Sequence, residues 1–219
     1  SPPPPLVPGA RLIIKPNTTA PRAPARRPEG EHTMEDQQII ELYWARSEQA
    51  IRESETKYGA FCLSIARNIL AQEQDAEECV NDTWLRAWNA MPPQRPGILS
   101  AFFGKLTRNL SLDRWRYNRA AKRGGPQVET ALEELGECIP APGRPEDRLE
   151  ERETADLISR FLREQPQLDR VLFLRRYWYL DSVAALAERF SMNENTVKSR
   201  LHRTRLRLKE VLLREGVAV

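Results

Sequence analysis

The stretch SVAALAERFSMNENTVKSRLHRTRLRLKE, residues 182–210, holds the pattern from which the fold is read. Val183, Leu186 and Phe190 fall on one side of a first short helix, with small Ala187 where a second helix must approach closely. Ser191, Met192 and Asn193 form the turn, and Asn193 is suited to cap the next helix by accepting from a free backbone N–H. Ser191 stands where many such turns place glycine. Val197 and Leu201, four residues apart, pin the second helix to the first. The spacing predicts a helix-turn-helix, with an ordinary helical hairpin as the plainer alternative.

Asn195, Thr196, Lys198, Ser199, Arg200, His202 and Arg203 are left for the outward faces of that second helix. Short polar and arginine side chains there reach base edges in a major groove, while cations further along, such as Arg205, hold phosphates. A lone histidine on a basic helix, His202, reads as a surface or phosphate contact rather than a ligand or catalyst.

Outward from this segment the charge is segregated, although the formal net charge is only +3. Residues 105–123 carry seven Lys and Arg against Asp113 alone, and residues 127–151 carry eight acids against Arg144 and Arg148. Residues 182–214 carry eight basic residues against three acids. Two basic blocks around an acidic one point to two surfaces facing a polyanion, joined by a connector that avoids it.

Apolar spacing makes the rest of the chain helical. Tyr58, Phe61, Cys62, Ile65, Ala66, Ile69 and Leu70 form one continuous face; Ala76, Val80, Thr83, Trp84 and Ala87 form a second. Leu99, Phe102, Phe103, Leu106 and Leu110 lead into the basic run DRWRYNRAAKR. Further on, Leu157, Ile158, Phe161 and Leu162, then Leu168, Val171, Leu172 and Leu174, give two more faces around Pro166. The expectation is an all-α chain of two small helical domains joined by a flexible linker. Residues 1–34 read as a disordered Pro-rich extension, 35–122 as the first domain and 123–147 as an acidic Gly/Pro linker with one short helix at 128–136. Residues 148–215 form the second domain.

Several classes are disfavoured. Cys62, Cys79 and Cys138 are odd in number and lack metal-ligand spacing, so no metal and no disulfide scaffold is expected, and a reducing cytoplasm fits best. No apolar run approaches the roughly 18 residues of a membrane span, and the N-terminus lacks the apolar core of a secretory signal. There is no phosphate-cradling glycine loop and no nucleophile–base pair, so neither an enzyme, a cofactor nor a small-molecule substrate is expected.

TVKSRLHRTRLRLKE, following SVAALAERF, resembles region 4 of the sigma-70 family, in particular its small extracytoplasmic-function (ECF) subfamily. In the first domain YGAFCLSIARNIL resembles region 2.1, DAEECVNDTWLRAW region 2.2, and FFGKLTRNLSLDRWR regions 2.3 and 2.4. The resemblance covers residues 45–120 and 150–213. It implies a dissociable subunit that directs bacterial core RNA polymerase to promoter DNA and helps melt it. Its polymerase partners would be the β′ coiled coil and the β flap, and many family members are held by an anti-sigma factor.

The resemblance assigns core-polymerase binding to Glu78, Asn81 and Asp82, a polar strip spaced i, i+3, i+4, with Asn81 where the family usually has glutamine. It assigns the −10 element to Lys105, Arg108, Asn109, Arg114, Trp115, Arg116 and Arg119, and the −35 element to the second helix of the helix-turn-helix. Phe102 and Phe103 lie on an apolar stripe and are read as core; Trp115 fits either core or base stacking. The competing functions are a helix-turn-helix repressor or activator that acts without polymerase, and a helical adaptor.

Overall fold

The computed structural model describes residues 34–120, 126–140 and 148–217, all of its regular structure helical. The expected N-terminal extension up to residue 33 lies outside the described residues. The chain forms two compact units.

The first unit contains α1 (Asp36–Trp44), α2 (Gln49–Ile69), α3 (Glu73–Ala90) and α4 (Leu99–Ala120). Its helices follow the expected faces: Cys62, Ile65, Ala66 and Ile69 of α2 and Ala76, Val80, Trp84 and Ala87 of α3 are buried. Glu73 and Asp75 in the first turn of α3 suit the positive end of its dipole. Phe103 is the centre of the core. Its ring meets Trp84 edge-on at 5.2 Å and lies 5.4 Å from Tyr58 and 6.4 Å from Tyr43. Gly104 lets α4 close on α2, because a Cβ there would stand 3.3 Å from the Phe61 ring. Tyr43 completes the packing through a 3.0 Å hydrogen bond with the Ser54 hydroxyl.

The second unit contains α5 (Pro126–Gly136), α6 (Arg148–Glu164), α7 (Gln167–Tyr177), α8 (Val183–Arg189) and α9 (Glu194–Arg214). Ala155, Ile158, Phe161 and Leu162 of α6 pack inward, and Leu157 is only half-buried. On α7 Leu172 is buried as expected, together with Phe173, Arg176 and Tyr177, whereas Leu168, Val171 and Leu174 of the expected face are half-buried. The irregular segment Trp178–Leu180 is buried as well. Ser182 caps α8 by accepting from the Ala185 N–H at 3.0 Å, and Asn193 caps α9 by accepting from the Asn195 N–H at 2.8 Å. Leu186 of α8 and Val197 and Leu201 of α9 are fully buried where the two helices meet; Val183 and Phe190 are half-buried.

One expectation changes here. α5 falls inside the segment expected to be a linker, and it belongs to the second unit, packed on α7. Val128, Ala131, Leu135 and Cys138, at spacings of three, four and three, are all buried. The acids, glycines and prolines around them mask this apolar face in composition. Residues 121–125 and 141–147 lie outside the described residues.

Candidate nucleic-acid and partner-binding surfaces

On α9 the N-terminal half presents the predicted readers. Asn195, Thr196, Lys198, Ser199, His202 and Arg203 are exposed. Lys198 stands 3.9 Å from Glu194 one turn earlier, an exposed pair that holds it weakly. Arg200 differs. Its guanidinium donates to the buried Asp169 carboxylate of α7 at 2.7 Å, and Arg207 reaches the other oxygen at 3.4 Å. Arg200 is therefore tied to the scaffold rather than freely presented.

Arg205 departs further from expectation. Its side chain is 12% exposed and donates to the Tyr177 hydroxyl at 2.5 Å, with the Glu134 carboxylate at 3.5 Å. Tyr177 in turn donates to Glu134 at 2.9 Å. Arg176, almost fully buried, reaches both Glu134 oxygens at 3.3 and 3.4 Å and the Asp181 carbonyl at 3.1 Å. In this arrangement Arg205 is an internal ion-pair partner and not a surface phosphate contact. Burial and the Glu134 carboxylate push the Tyr177 phenol well above its ordinary value, so it stays a hydroxyl that can bridge the two. Arg176 was missed by the sequence reading, since an arginine among apolar residues gives no hint of a carboxylate 42 positions away.

In the first unit the basic helix α4 divides in the same way. Lys105 is exposed, Asn109 half-buried, and Arg116 partly exposed beside Asp113 at 2.9 Å. Arg108 is 1% exposed, and burial, with the like charge of Arg116, pushes its guanidinium below its ordinary value. It cannot lie along a phosphate backbone from there. Trp115 is 5% exposed and packs in the core, so its ring is not offered to a base in this arrangement. It continues one buried stripe with Leu99, Phe103 and Ser111. The aromatic ring α4 does offer to solvent is Tyr117, 79% exposed. The side chain of Arg119 lies outside the described residues.

Arg114 joins the two predicted sites of this unit. It donates to Glu78 at 2.7 Å and to Asp75 at 3.0 Å, and Asn118 donates to the other Asp75 oxygen at 2.8 Å. The hydrogen bond from Arg114 holds the Glu78 carboxyl below the usual carboxylate range. Asn81 is exposed and Asp82 half-exposed on the same face of α3, and Leu85 continues the strip one turn further, 58% exposed. An acidic strip ending in an exposed leucine suits a basic partner with an apolar spot.

Residues 56–121 match the sigma-70 region 2 family. The match takes in most of α2, all of α3 and α4, and with them the acidic strip and the basic helix. It supports a sigma factor role, in promoter recognition with RNA polymerase. No curated protein matches the chain. Among the described residues, no helix is long and apolar enough to cross a membrane, and no cluster of His, Cys, Asp and Glu could hold a metal ion.

Proposed function

We propose that the chain is an ECF-type sigma factor that binds core RNA polymerase and recognises promoters through two helical readers. The observation that carries this reading is the region 2 match over residues 56–121, which encloses a solvent-facing acidic strip and a basic helix in one compact unit. Glu78, Asn81 and Asp82, extended by Leu85, would grip the β′ coiled coil. Lys105, Asn109, Arg116 and Tyr117 would meet the −10 element: the cations on phosphates, the exposed ring on an unpaired base. Arg108 and Trp115 are left out as core residues.

The short α8, the tight turn after it and the capped α9 support reading the pair as a helix-turn-helix, in which Asn195, Thr196, Lys198, Ser199, His202 and Arg203 would face the −35 major groove. Arg200 would contribute through the guanidinium edge that Asp169 leaves open. The β flap and an anti-sigma factor remain partners of the proposal drawn from the family resemblance, and a cytoplasmic location goes with them.

Run-off transcription with purified bacterial core polymerase over a library of promoter fragments tests the reading. Initiation dependent on the chain is expected. DNA binding without core binding or initiation would overturn it in favour of a regulator that acts alone. Asp82→Arg is expected to weaken core binding at least severalfold with the free fold unchanged, measured by equilibrium binding to core enzyme and by thermal melting.

A further inference from the structure

Lys198, His202, Arg205 and Lys209 lie at i, i+4, i+7 and i+11 on α9 and so form one stripe along the helix. Its two halves differ. Lys198 and His202 are exposed, whereas Arg205 and Lys209 are turned into contacts with α5 and the residue that follows it. Arg205 faces Glu134 and Tyr177, its other terminal nitrogen is 3.8 Å from the Glu137 carboxylate, and the Lys209 ammonium donates to the Glu137 carbonyl at 3.0 Å. Arg176 supplies a second guanidinium to the same Glu134 carboxylate. Arg176, Tyr177 and Arg205 thus build a pocket for an oxyanion, and a carboxylate of the chain's own α5 sits in it.

We propose that α5 is a reversible acidic strap: it occupies the C-terminal half of the α9 stripe in the free chain and yields that half to DNA phosphates. The inference rests on the reading of α9 as the DNA-facing helix. A phosphate oxygen makes the same charge-assisted hydrogen bonds to guanidinium as the Glu134 carboxylate does, so exchange leaves the donors satisfied. The hold of α5 is limited. It is an 11-residue helix whose buried side chains, among those described, are Val128, Ala131 and Leu135, with Cys138 just beyond its end. Short elements with few buried apolar groups open at a lower free energy than the core around them. While α5 is seated, α9 meets a duplex with Lys198 and Arg203 but without Arg205 and Lys209. Non-specific attraction to DNA is then weaker than the composition of the helix implies, because each cation withheld is one fewer counterion released.

The test uses the full chain and a labelled DNA duplex titrated over a series of salt concentrations. Glu134→Gln keeps the shape of the side chain and removes its charge. It is expected to raise affinity severalfold and to steepen the dependence of log affinity on log salt by about 0.9 for each cation freed. Adding Arg205→Ala to Glu134→Gln is expected to cancel the gain. In the unmodified chain, the amides of α5 are expected to lose protection from hydrogen exchange when DNA is added, a measurement that needs no variant to fold. Wild-type affinity and slope in Glu134→Gln, or α5 protection indifferent to DNA, would overturn the strap. Arg203→Ala in the same assay separates the two readings: a loss there beside an inert Glu134→Gln sinks the strap alone, whereas no loss in either removes α9 from DNA and the strap with it. Deprotection of α5 by core polymerase but not by DNA would assign the pocket to an acidic protein segment and reject phosphate exchange.

Discussion

α4 and α9 both carry basic runs, five cations from Lys105 to Arg119 and six from Lys198 to Lys209, yet the fold puts them to different use. α4 is packed against both α2 and α3, so only a narrow outer edge remains. Its interior takes Arg108 and Trp115, and α3 takes Arg114. α9 is packed against α6, α7 and α8 along one side, and the outer face of its N-terminal turns is left bare. Its C-terminal turns are met by α5. The number of basic residues on a helix is therefore a poor measure of the charge it offers a polyanion. What matters is how many neighbours the helix has, and which of them carry carboxylates.

The largest expected effect breaks this comparison at α4. Trp115→Ala is expected to destabilise the first unit by about 3–5 kcal/mol, the range for emptying a buried aromatic site, as measured by urea unfolding. A variant that keeps its stability but loses DNA melting would return Trp115 to the surface role its position in a basic run suggested. The sequence left that ring open between core and surface, because the stripe through Leu99 and Phe103 reaches it by way of the polar Thr107 and Ser111, whose burial only the fold shows. The helical faces of α2 and α3 were legible because their apolar residues recur at helical spacing. The Asn193 cap and the Val197–Leu201 pin were legible because both act within a few residues. Arg205 was not. Its carboxylate partner is 71 positions away on a helix expected to lie in a linker, and periodicity holds no record of such a pairing. Nor was Arg108, because nothing local distinguishes a buried arginine from an exposed one.

A second expected effect sharpens the contrast between a core helix and a strap. Cys62 lies in the centre of the first unit and Cys138 directly after α5, and burial pushes both thiols up to about 12 from an ordinary 9.0. Each is an acid whose folded value lies above its unfolded one. The stability it contributes is fully present below pH 9 and is lost as pH rises from 9 towards 12, by on the order of a few kcal/mol. Between these limits the two differ in how they become exposed. Cys138 needs only α5 to lift, whereas Cys62 needs the α2–α4 core to open. Thiol labelling of the native chain near pH 8 is expected to modify Cys138 well before Cys62. Equal rates would make α5 as integral to its unit as α2 is to the first, and the comparison would lose its second half.

The smallest expected effect concerns the turn that presents α9. Ser191 holds φ at 51°, a left-handed conformation, and is exposed. The turn is fixed by backbone bonds, Met192 N–H to the Ala187 carbonyl at 2.8 Å and Ser191 N–H to the Glu188 carbonyl at 3.2 Å, so the serine side chain is not what shapes it. An L-residue there costs about 1–2 kcal/mol, and glycine removes that cost while giving back about 0.5–1 kcal/mol of chain entropy. Ser191→Gly is expected to stabilise the second unit by roughly 0.5–1 kcal/mol, read as a higher melting temperature. Leu180 tests the same argument in reverse. It has nearly the same φ, 58°, but is fully buried between α7 and α8. Leu180→Gly relieves the backbone and empties a core site worth about 2–5 kcal/mol, so it is expected to melt lower. If both variants melt lower, burial is not what separates these two turns, and the serine at 191 contributes more than its exposure implies.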